Sequence, residues 1–323
     1  MKPIKLFFAG SVNAGLATSI SNAGVRNRLV TYAYPREFQV WLETIPQEGS
    51  VIIDSGAFSA WNRGKHISIK EYITYCQQCL ETAKEYNKTI HVVNLDVIPG
   101  KAGGTKALNA CIGSEIQLKQ NKDLINSAAA RGFQNLKRMK REGITPIHVY
   151  HQGEDWRWLE KMVEQTDYIG ISPANDMPSI SKKKWIYSVF EYMYKRGIEV
   201  RTHGFAVWVF DLMKELPWTS CDAATWLISA GLGNVYIPNG GYTDTIDFSR
   251  GSSSFFQLRI TDRDEKTASE ALDSVVETTG FSYDELKVYK NRFVVNCKFF
   301  LAMEKWLNGY KETNDYKPKS SLL

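Results

Sequence analysis

The segment Val51-Ile52-Ile53-Asp54-Ser55-Gly56 is an apolar run that stops at an aspartate and a glycine turn. Similar runs recur along the chain with helical segments between them, and this alternation predicts a parallel sheet. Several runs are apolar through most of their length, as expected for strands that are covered on both faces. The predicted strands are Lys5–Ala9, Val51–Asp54, Ile90–Asp96, Pro146–His151, Tyr168–Ser172, Val200–Phe205, Thr219–Asp222 and Val235–Pro238. Eight such strands predict an α/β fold of the (β/α)8 TIM barrel type, with an open doubly wound sheet as the alternative.

The segments between these strands carry signals for the start and the end of helices. Ser68 and Glu71 form a capping-box pair ahead of an apolar stripe, and Ser181 is predicted to cap a later helix. Gly143 and Gly197 follow two of the apolar stripes, at the position where a glycine commonly ends a helix.

Beyond about residue 250 the alternation of strands and helices ends. Phe255–Ile260 is predicted to be a short extended piece, and Ser282 with Glu285 is predicted to open a long helix. We therefore expect a barrel domain over 1–250 and a helical C-terminal extension over 251–313 that packs on the barrel. The last residues, 314–323, are predicted to be a disordered tail.

The composition is that of an ordinary globular protein. Of the 323 residues 43% are hydrophobic and 23% are charged, and the longest apolar runs are too short to span a bilayer, so no membrane partner is expected. The N-terminus lacks the apolar stretch of a secretory signal, which predicts a cytoplasmic protein. Five cysteines at irregular spacing argue against a disulfide framework.

The net charge of +5 suits an anionic partner without requiring one. Basic residues form two knots: Lys137, Arg138, Lys140 and Arg141 in one, and Lys182, Lys183 and Lys184 in the other. Each knot taken alone is more simply a solvated helix face. If a nucleic-acid site is established separately, the candidates for contact with the phosphate backbone are Arg63, Lys65, Lys182, Lys183 and Lys184.

Polar residues collect where the predicted strands end, which is where a TIM barrel places its active site. Asp54, Asp96 and Asp222 end three of the runs, and His151-Gln152-Gly153 and His203-Gly204-Phe205 end two others. A single aspartate there often caps the next helix, a glycine often permits a turn, and a glutamine can brace a loop. Three acids exceed what capping requires. Two carboxylates facing one cavity suit glycosidic chemistry, in which one attacks the anomeric carbon and the other handles the leaving group's proton. Crowding of like charges would raise the pKa of one of them.

In these residues the sequence resembles the tRNA-guanine transglycosylase superfamily, and within it the phage-type 7-deazaguanine DNA transglycosylases. The family signature Asp-Ser-Gly-Gly-Phe-Gln is similar to Asp54-Ser55-Gly56-Ala57-Phe58-Ser59. Its base-recognising aspartate matches Asp96, its Gln-Gly pair matches Gln152-Gly153, and its Gly-Leu-Ala turn matches Gly204-Phe205-Ala206. Its nucleophilic aspartate fits Asp222, and the matches follow the family's order over about residues 1–250.

The resemblance implies a base exchange that uses neither a metal nor a cofactor. Asp222 would displace guanine and form a covalent glycosyl-enzyme, while Asp54 would protonate the leaving base and then deprotonate the incoming free 7-deazaguanine. Asp96 would accept hydrogen bonds from the amine edge of guanine, and Gln152 and a backbone N–H near Gly204 would address its carbonyl side. The remaining expected base-binding residues are Ser55, Gly153 and Phe205. In the DNA branch of the family the usual donor is 7-cyano-7-deazaguanine, and family members often form homodimers.

A base must leave its stack to reach such a pocket, so an aromatic lining is expected. Phe58, Trp61 and Phe205 are the candidates, although for Phe58 we favour packing in the core. His203 and His151 adjoin the proposed site residues and are secondary candidates for orienting Asp222 or contacting phosphate.

Departures from the family favour DNA over tRNA as the substrate. The tRNA enzymes bind a structural zinc through a Cys-x-Cys-x-x-Cys cluster and a histidine, whereas Cys76 and Cys79 form a lone C-x-x-C and are expected to be buried thiols. Ala57 and Ser59 replace signature residues, and the segment after Asp222 lacks the basic residue usual in the tRNA enzymes. The open alternatives are a tRNA-guanine transglycosylase without the zinc element, a hydrolytic N-glycosidase, and a non-catalytic barrel that binds a nucleic acid or nucleobase.

Overall fold

A parallel sheet forms the centre of the computed structural model, which describes residues 1–10, 12–100, 103, 113–239, 242–248, 257–258, 265–316 and 318. Its strands are β1 (Lys5–Ala9), β2 (Asn27–Thr31), β3 (Ser50–Asp54), β4 (Thr89–Val92), β5 (His148–His151), β6 (Tyr168–Ser172), β7 (Arg201–Gly204) and β8 (Ser220–Ala223). The order across the sheet is β4-β3-β2-β1-β8-β7-β6-β5, so that β1 pairs with both β2 and β8. This cyclic order differs from that of an open doubly wound sheet.

The two outermost strands of this order approach each other. Val93, which follows β4, forms a parallel bridge with Ile147, which precedes β5. The Ile147 N–H donates to the Val92 carbonyl and the Asn94 N–H donates to the Ile147 carbonyl, both at 2.8 Å. The eight-stranded parallel sheet with its helices is consistent with a TIM-like barrel.

Seven of the eight predicted strands lie in this parallel sheet, and the prediction of the eighth was wrong. Val235–Pro238 lies in β9 (Asn234–Asn239), which pairs antiparallel with β10 (Tyr242–Asp247) in a separate sheet completed by β11 (Gln257–Leu258). The parallel strand that the sequence did not predict is β2. Its charged residue Arg28 interrupts the apolar run that would have indicated a strand. The Arg28 guanidinium is fully buried, with its carbon 3.4 Å from the centre of the Trp41 ring and 5.4 Å from that of Trp226.

The helices of the described chain are α1 (Ala14–Asn22), α2 (Arg36–Thr44), α3 (Ala57–Asn62), α4 (Ile69–Glu85), α5 (Glu115–Gln120), α6 (Lys122–Arg141), α7 (Trp156–Val163), α8 (Ser179–Lys195), α9 (Phe210–Glu215), α10 (Thr225–Gly231), α11 (Glu265–Thr279), α12 (Tyr283–Leu286) and α13 (Tyr289–Thr313). Ser68 caps α4 as predicted, and Gly143 and Gly197 follow α6 and α8 with φ of +79° and +63°. The predicted cap at Ser181 was wrong, because α8 begins at Ser179 behind Pro178.

The C-terminal part is helical as expected, with a break in the predicted long helix. Ser282 and Glu285 form the predicted capping box, but it opens the short α12, and the long α13 begins at Tyr289. Within the predicted extended piece Phe255–Ile260, the described residues Gln257–Leu258 are a strand.

Helix α13 packs against the first strand of the parallel sheet. The side chain of Asn308 accepts a hydrogen bond from the Ile4 N–H at 2.7 Å and donates one to the Ile4 carbonyl at 3.1 Å. Within the predicted tail, Tyr316 packs against the Phe190 ring, and residues 317 and 319–323 lie outside the described residues.

The inward faces of the strands form an apolar floor beneath the carboxyl ends. One buried cluster takes residues from successive strands and their flanks: Phe7, Ile52, Val93, Ile147, Val149 and Tyr168, with Leu29 and Phe205 packed against it. Because side chains alternate along a strand, the residues two positions beyond Ile52 and Val149 face the same interior. These residues are Asp54 and His151.

None of the described helices has the length and apolar character that crossing a membrane would require.

Candidate active site

The three aspartates singled out in the sequence lie at the carboxyl ends of strands β3, β4 and β8. Asp54 is the last residue of β3, Asp96 follows the end of β4, and Asp222 lies in β8 opposite Phe7 of β1. The charges of Asp96 and Asp222 both raise the pKa of Asp54, so the three carboxylates lie within electrostatic reach of one another.

Asp222 is held through one of its two carboxylate oxygens. Its Oδ1 accepts a hydrogen bond from the Ala206 N–H at 2.9 Å and lies 3.3 Å from Nε2 of His203. Its Oδ2 accepts no hydrogen bond from the described residues. The carboxylate is therefore fixed in orientation while one oxygen stays available for reaction.

Next to Asp222, a row of buried polar side chains extends from β8 across β7 to β6. Nδ1 of His203 lies 2.6 Å from the Ser220 hydroxyl, which lies 2.5 Å from the Tyr168 hydroxyl. His203 and Ser220 have no exposed surface, and Tyr168 is nearly as buried. The secondary role foreseen for His203, orienting Asp222, therefore agrees with the position of its ring.

Asp54 also accepts hydrogen bonds, but burial has the largest effect on its pKa. Its Oδ2 accepts a hydrogen bond from the Gly56 N–H at 2.9 Å. Burial raises the pKa of Asp54 to about 6, against the lowering effect of the Gly56 and Thr31 hydrogen bonds and with a further rise from Asp96 and Asp222. Such a carboxyl is partly protonated near neutral pH, as a group that both gives and takes a proton should be.

Asp96 is paired with a histidine on the adjoining strand. Nε2 of His151 lies 3.5 Å from Oδ2 of Asp96, and Nδ1 lies 3.1 Å from Oε1 of Glu154. Burial by itself would lower the pKa of His151, but hydrogen bonding and charge from Asp96 and Glu154 raise it to about 10. His151 is thus a cation between two acids, and its ring contacts Asp96 rather than Asp222.

The loop after β5 is braced by the residues that were expected to bind a base. The Gln152 side-chain oxygen accepts a hydrogen bond from the Ala174 N–H at 3.1 Å, so this atom braces a loop. The Gln152 amide nitrogen donates to none of the described residues and is free for a carbonyl. Gly153 has φ of +101°, and a Cβ there would lie 2.7 Å from the Leu118 side chain, so glycine is required by the fold.

Two other expected base-binding groups are already occupied. Ser55 is 1% exposed, and its hydroxyl accepts a hydrogen bond from the Ala57 N–H. In the turn at Gly204, the Phe205 N–H donates to the Ile171 carbonyl and the Ala206 N–H donates to Asp222. These two backbone donors are bonded to the Ile171 carbonyl and to Asp222, and the role of a backbone N–H near Gly204 in reading a base stays a prediction.

The turn after β7 depends on glycine for space. A Cβ on Gly204 would lie 2.9 Å from both the Cys221 sulfur and the Val207 Cβ. Ala206 has a φ of +52°, an uncommon conformation for a residue with a side chain. Phe205 packs its ring edge against His203 at 4.5 Å, so its main contacts are with the interior.

Phe58 and Trp61 form a stacked pair on α3, with ring centres 6.2 Å apart. Phe58 is 46% exposed, so the expectation of core packing was wrong for this residue. Because α3 follows β3 directly, the pair lies at the end of the sheet where Asp54 ends its strand.

Of the five basic residues predicted to contact phosphate, three have protein partners in this structure and two are exposed. Arg63 donates to the Tyr34 hydroxyl at 2.8 Å, Lys182 donates to the Asn175 carbonyl, and Lys183 pairs with Asp211 at 3.6 Å. Lys65 and Lys184 are exposed. All five follow β3 or β6 and so belong to the carboxyl end of the sheet, whereas the knot around Arg138 precedes β5 and belongs to the opposite end.

The cysteines of the described chain are buried thiols. Burial raises the pKa of Cys76 to about 12 and that of Cys79 to about 11. Within the residues that the structure describes, no group of three or more histidine, cysteine, aspartate or glutamate side chains could hold a metal ion.

Sequence reasoning missed four contributors: Tyr168, Glu154, Ser220 and the Ala206 N–H. Ser220 was within reach, because it lies two residues before Asp222 and therefore faces the same side of the strand. Tyr168 becomes recognisable only when the order of β6, β7 and β8 is known.

Comparisons with known proteins leave the chain without a family. No protein-family model matches it, and no curated protein matches it either. One matching solved structure is a Pseudomonas aeruginosa protein provisionally assigned as a dihydrodipicolinate synthetase, with a TM-score of 0.39 and 11% identity over 70% of this chain and 71% of that one. A likeness this low bears on neither the fold nor the function.

Proposed function

We propose that this protein is a base-exchange transglycosylase that replaces guanine in DNA with a 7-deazaguanine derivative such as 7-cyano-7-deazaguanine. The observation that carries the proposal is the contrast between two neighbouring carboxyl groups. Asp54 has a pKa raised to about 6, and Asp222 is held through Oδ1, while none of the described residues donates to its Oδ2. The proposal includes a (β/α)8 barrel in which β4 and β5 meet and close the sheet. Such a barrel would place the carboxyl groups of Asp54 and Asp222 around one opening.

In the first step, Oδ2 of Asp222 attacks the anomeric carbon of the target nucleotide. The bond from that carbon to the guanine nitrogen breaks, and the nitrogen takes the proton of Asp54. The products are a glycosyl ester on Asp222, free guanine and an ionised Asp54. A protonated Asp54 makes guanine a better leaving group, which is the usual use of a carboxyl with a raised pKa.

The second step is the reverse with a different base. The incoming 7-deazaguanine gives the proton of its ring nitrogen to Asp54, and this nitrogen attacks the anomeric carbon. The ester bond to Asp222 breaks and restores the carboxylate, whose Oδ1 is stabilised by the Ala206 N–H and the His203 ring. Both catalytic groups return to their starting states.

Base reading rests on Asp96 and on Gln152. Asp96 has its Oδ2 beside His151, which leaves Oδ1 to accept from the amine edge of a guanine-type base. The free amide of Gln152 can donate to the carbonyl of the same base. This pattern of one acceptor and one donor suits guanine and disfavours adenine, whose edge presents the opposite pattern.

The choice of DNA over tRNA rests on departures from the family pattern in the sequence. Cys76 and Cys79 are buried on α4, where they fill the helix layer. The exposed Phe58, stacked on Trp61, provides an aromatic surface for a base that has left its stack.

The test supplies duplex DNA, single-stranded DNA and tRNA, each with radiolabelled guanine, and measures label in the nucleic acid. We expect label in DNA and none in tRNA, and nucleoside analysis should show a 7-deazaguanine when that base is added. Label in tRNA alone would transfer the proposal to the tRNA branch. Release of guanine without any added base, leaving an abasic sugar, would identify a hydrolase. No exchange with any substrate would contradict the proposal.

A further inference from the structure

We propose that Tyr168 and Ser220 are positioning residues that fix His203 as a neutral imidazole with its proton on Nε2, aimed at Asp222. The effect on turnover rests on the proposed function, whereas the protonation of His203 does not. The inference starts from four polar groups in a row, Tyr168, Ser220, His203 and Asp222, separated by 2.5, 2.6 and 3.3 Å.

Among the described residues, the side chains of Tyr168, Ser220 and His203 have hydrogen-bond partners only within this row. His203 and Ser220 have no exposed surface, and Tyr168 is 5% exposed. The His203 ring lies edge-on to Phe7 at 5.8 Å and to Phe205 at 4.5 Å. Buried polar groups must satisfy their hydrogen bonds within such a row, because water does not reach them.

The direction of the row follows from its two ends. An ionised Asp222 only accepts hydrogen bonds, so Nε2 of His203 must carry a proton to face Oδ1 favourably. Burial raises the pKa of Tyr168 to about 12, so this hydroxyl keeps its proton and can donate to Ser220. Ser220 then donates to Nδ1, and every donor meets an acceptor.

The charged form of His203 does not fit this row. A proton on Nδ1 would turn the Ser220 hydroxyl toward Tyr168, and the Tyr168 hydroxyl would then need another acceptor. Among the described residues its hydroxyl contacts only Ser220, so a buried donor would be left without a partner. Tyr168 therefore decides the protonation of a histidine two bonds away in the row.

This arrangement serves the nucleophile in both steps. The Nε2 proton and the Ala206 N–H hold Oδ1, so that Oδ2 is directed toward the substrate. In the glycosyl ester Oδ1 becomes the carbonyl oxygen, and the same two donors favour departure of the carboxylate when the second base attacks.

The chain contains a matched control for this Tyr–Ser pair. Tyr236 is also buried, and its hydroxyl lies 2.9 Å from the hydroxyl of Ser229, on the side of the barrel that carries β9 and α10. Tyr168→Phe and Tyr236→Phe each remove one buried hydroxyl from a serine partner, but only the first belongs to the row that ends at Asp222.

The experiment is nitrogen NMR of the whole protein labelled with ¹⁵N-histidine. The chain has five histidines, and the signals of His203 are assigned as those missing from His203→Gln. We expect a neutral ring protonated on Nε2 in the wild type at pH 7, a partly doubly protonated ring in Tyr168→Phe, where no tyrosine hydroxyl is left without an acceptor, and no change in Tyr236→Phe. A wild-type ring protonated on Nδ1, or on both nitrogens, overturns the proposal even if the variants fail to fold.

Kinetics supply the second readout. Tyr168→Phe should lower kcat for base exchange about tenfold and leave KM for the incoming base nearly unchanged, whereas Tyr236→Phe should change neither. Unchanged kcat in a folded Tyr168→Phe overturns the link to catalysis. An Nε2 proton in a protein that shows no exchange would keep the positioning role and refute the proposed function. Exchange in a protein with the other tautomer would do the reverse.

Discussion

Asp54 and Asp222 are the same residue type at the same end of one sheet, yet their surroundings differ. Asp54 is the last residue of β3 and accepts hydrogen bonds from the Gly56 N–H and the Thr31 hydroxyl. Burial nevertheless raises its pKa to about 6. Asp222 lies beside a turn and a histidine that both donate to Oδ1. One carboxyl therefore has a raised pKa, and the other is held in a fixed orientation through Oδ1.

The comparison shows how roles are divided between chemically identical groups. Hydrogen-bond donors favour the ionised form of a carboxyl, and burial with neighbouring negative charges favours the protonated form. Each carboxyl accepts one of its hydrogen bonds from a backbone turn. The Gly56 turn offers one N–H to Asp54, and the turn that includes Ala206, with φ of +52°, offers one to Asp222 in addition to His203.

The largest expected effect comes from removing Asp222, the proposed nucleophile. Asp222→Asn keeps the shape of the side chain and should lower base exchange by about a thousandfold or more, because the amide cannot attack the anomeric carbon. Incorporation of labelled guanine into DNA measures the loss, with thermal unfolding as the control for folding. Substantial exchange by a folded Asp222→Asn would reverse the assignment of the two carboxyls.

The next effect concerns the proton. Asp54→Asn should lower exchange by about 10²–10⁴-fold, since protonation of the leaving base is lost. In single-turnover release of guanine by the wild type, the rate should fall as pH rises through about 6, where Asp54 loses its proton. This dependence should be absent from the residual rate of Asp54→Asn. A rate that rises over the same range would contradict the role of Asp54 as the acid.

Replacing each aspartate by asparagine should change the free energy of unfolding in opposite directions at Asp54 and at Asp222. The pKa of Asp54 is raised in the fold from 3.8 to about 6, so the folded state loses stability as pH rises across that interval and stays lower above it. Asp54→Asn cannot ionise and should be more stable than the wild type above pH 6, by up to about 2–3 kcal/mol.

At Asp222 the same change should destabilise the protein by about 1 kcal/mol, because hydrogen bonds from His203 and Ala206 then meet a neutral acceptor. Thermal unfolding of both variants at pH 4.5 and pH 7.5 provides the measurement. Equal effects of the two substitutions would show that the surroundings do not distinguish the carboxyls.

The smallest expected effect concerns DNA binding rather than chemistry. It comes from a basic residue, because neither carboxyl is expected to contact the DNA backbone. Lys184→Glu, at the start of α8, should weaken DNA binding about two- to fivefold and make it less dependent on salt. Arg138→Glu makes the same charge change at the opposite end of the barrel and serves as the control. Equal losses in titrations at two salt concentrations would point to overall charge rather than to a binding face.

Much of this arrangement was predictable because it depends on local patterns. Apolar runs that stop at Asp54 or Asp222 reveal strands, and the alternation of side chains puts both acids on the inward face. Strand β2 was missed because its buried Arg28 is compensated by Trp41 and Trp226, which come from distant parts of the chain. Val235–Pro238 has the composition of a barrel strand, but its partner is the adjoining β10.

The partners of the site residues could not be predicted, because they depend on register between strands. His203 lies opposite Ser220 across the pairing of β7 and β8, and the Tyr168 hydroxyl reaches the same serine from β6. Likewise, His151 contacts both Asp96 and Glu154 because β5 lies beside the end of β4. A sequence shows which residues end the strands, whereas the pairing of strands decides which of them touch.

The most direct test of the central claim is to find which carboxyl carries the sugar. The native protein is incubated with guanine-containing DNA, quenched in denaturant and digested, and its peptides are examined by mass spectrometry. We predict a covalent DNA adduct on Asp222, none on Asp54, and none in Asp222→Asn. An adduct on Asp54, or base exchange with no adduct at any time after mixing, would contradict the account.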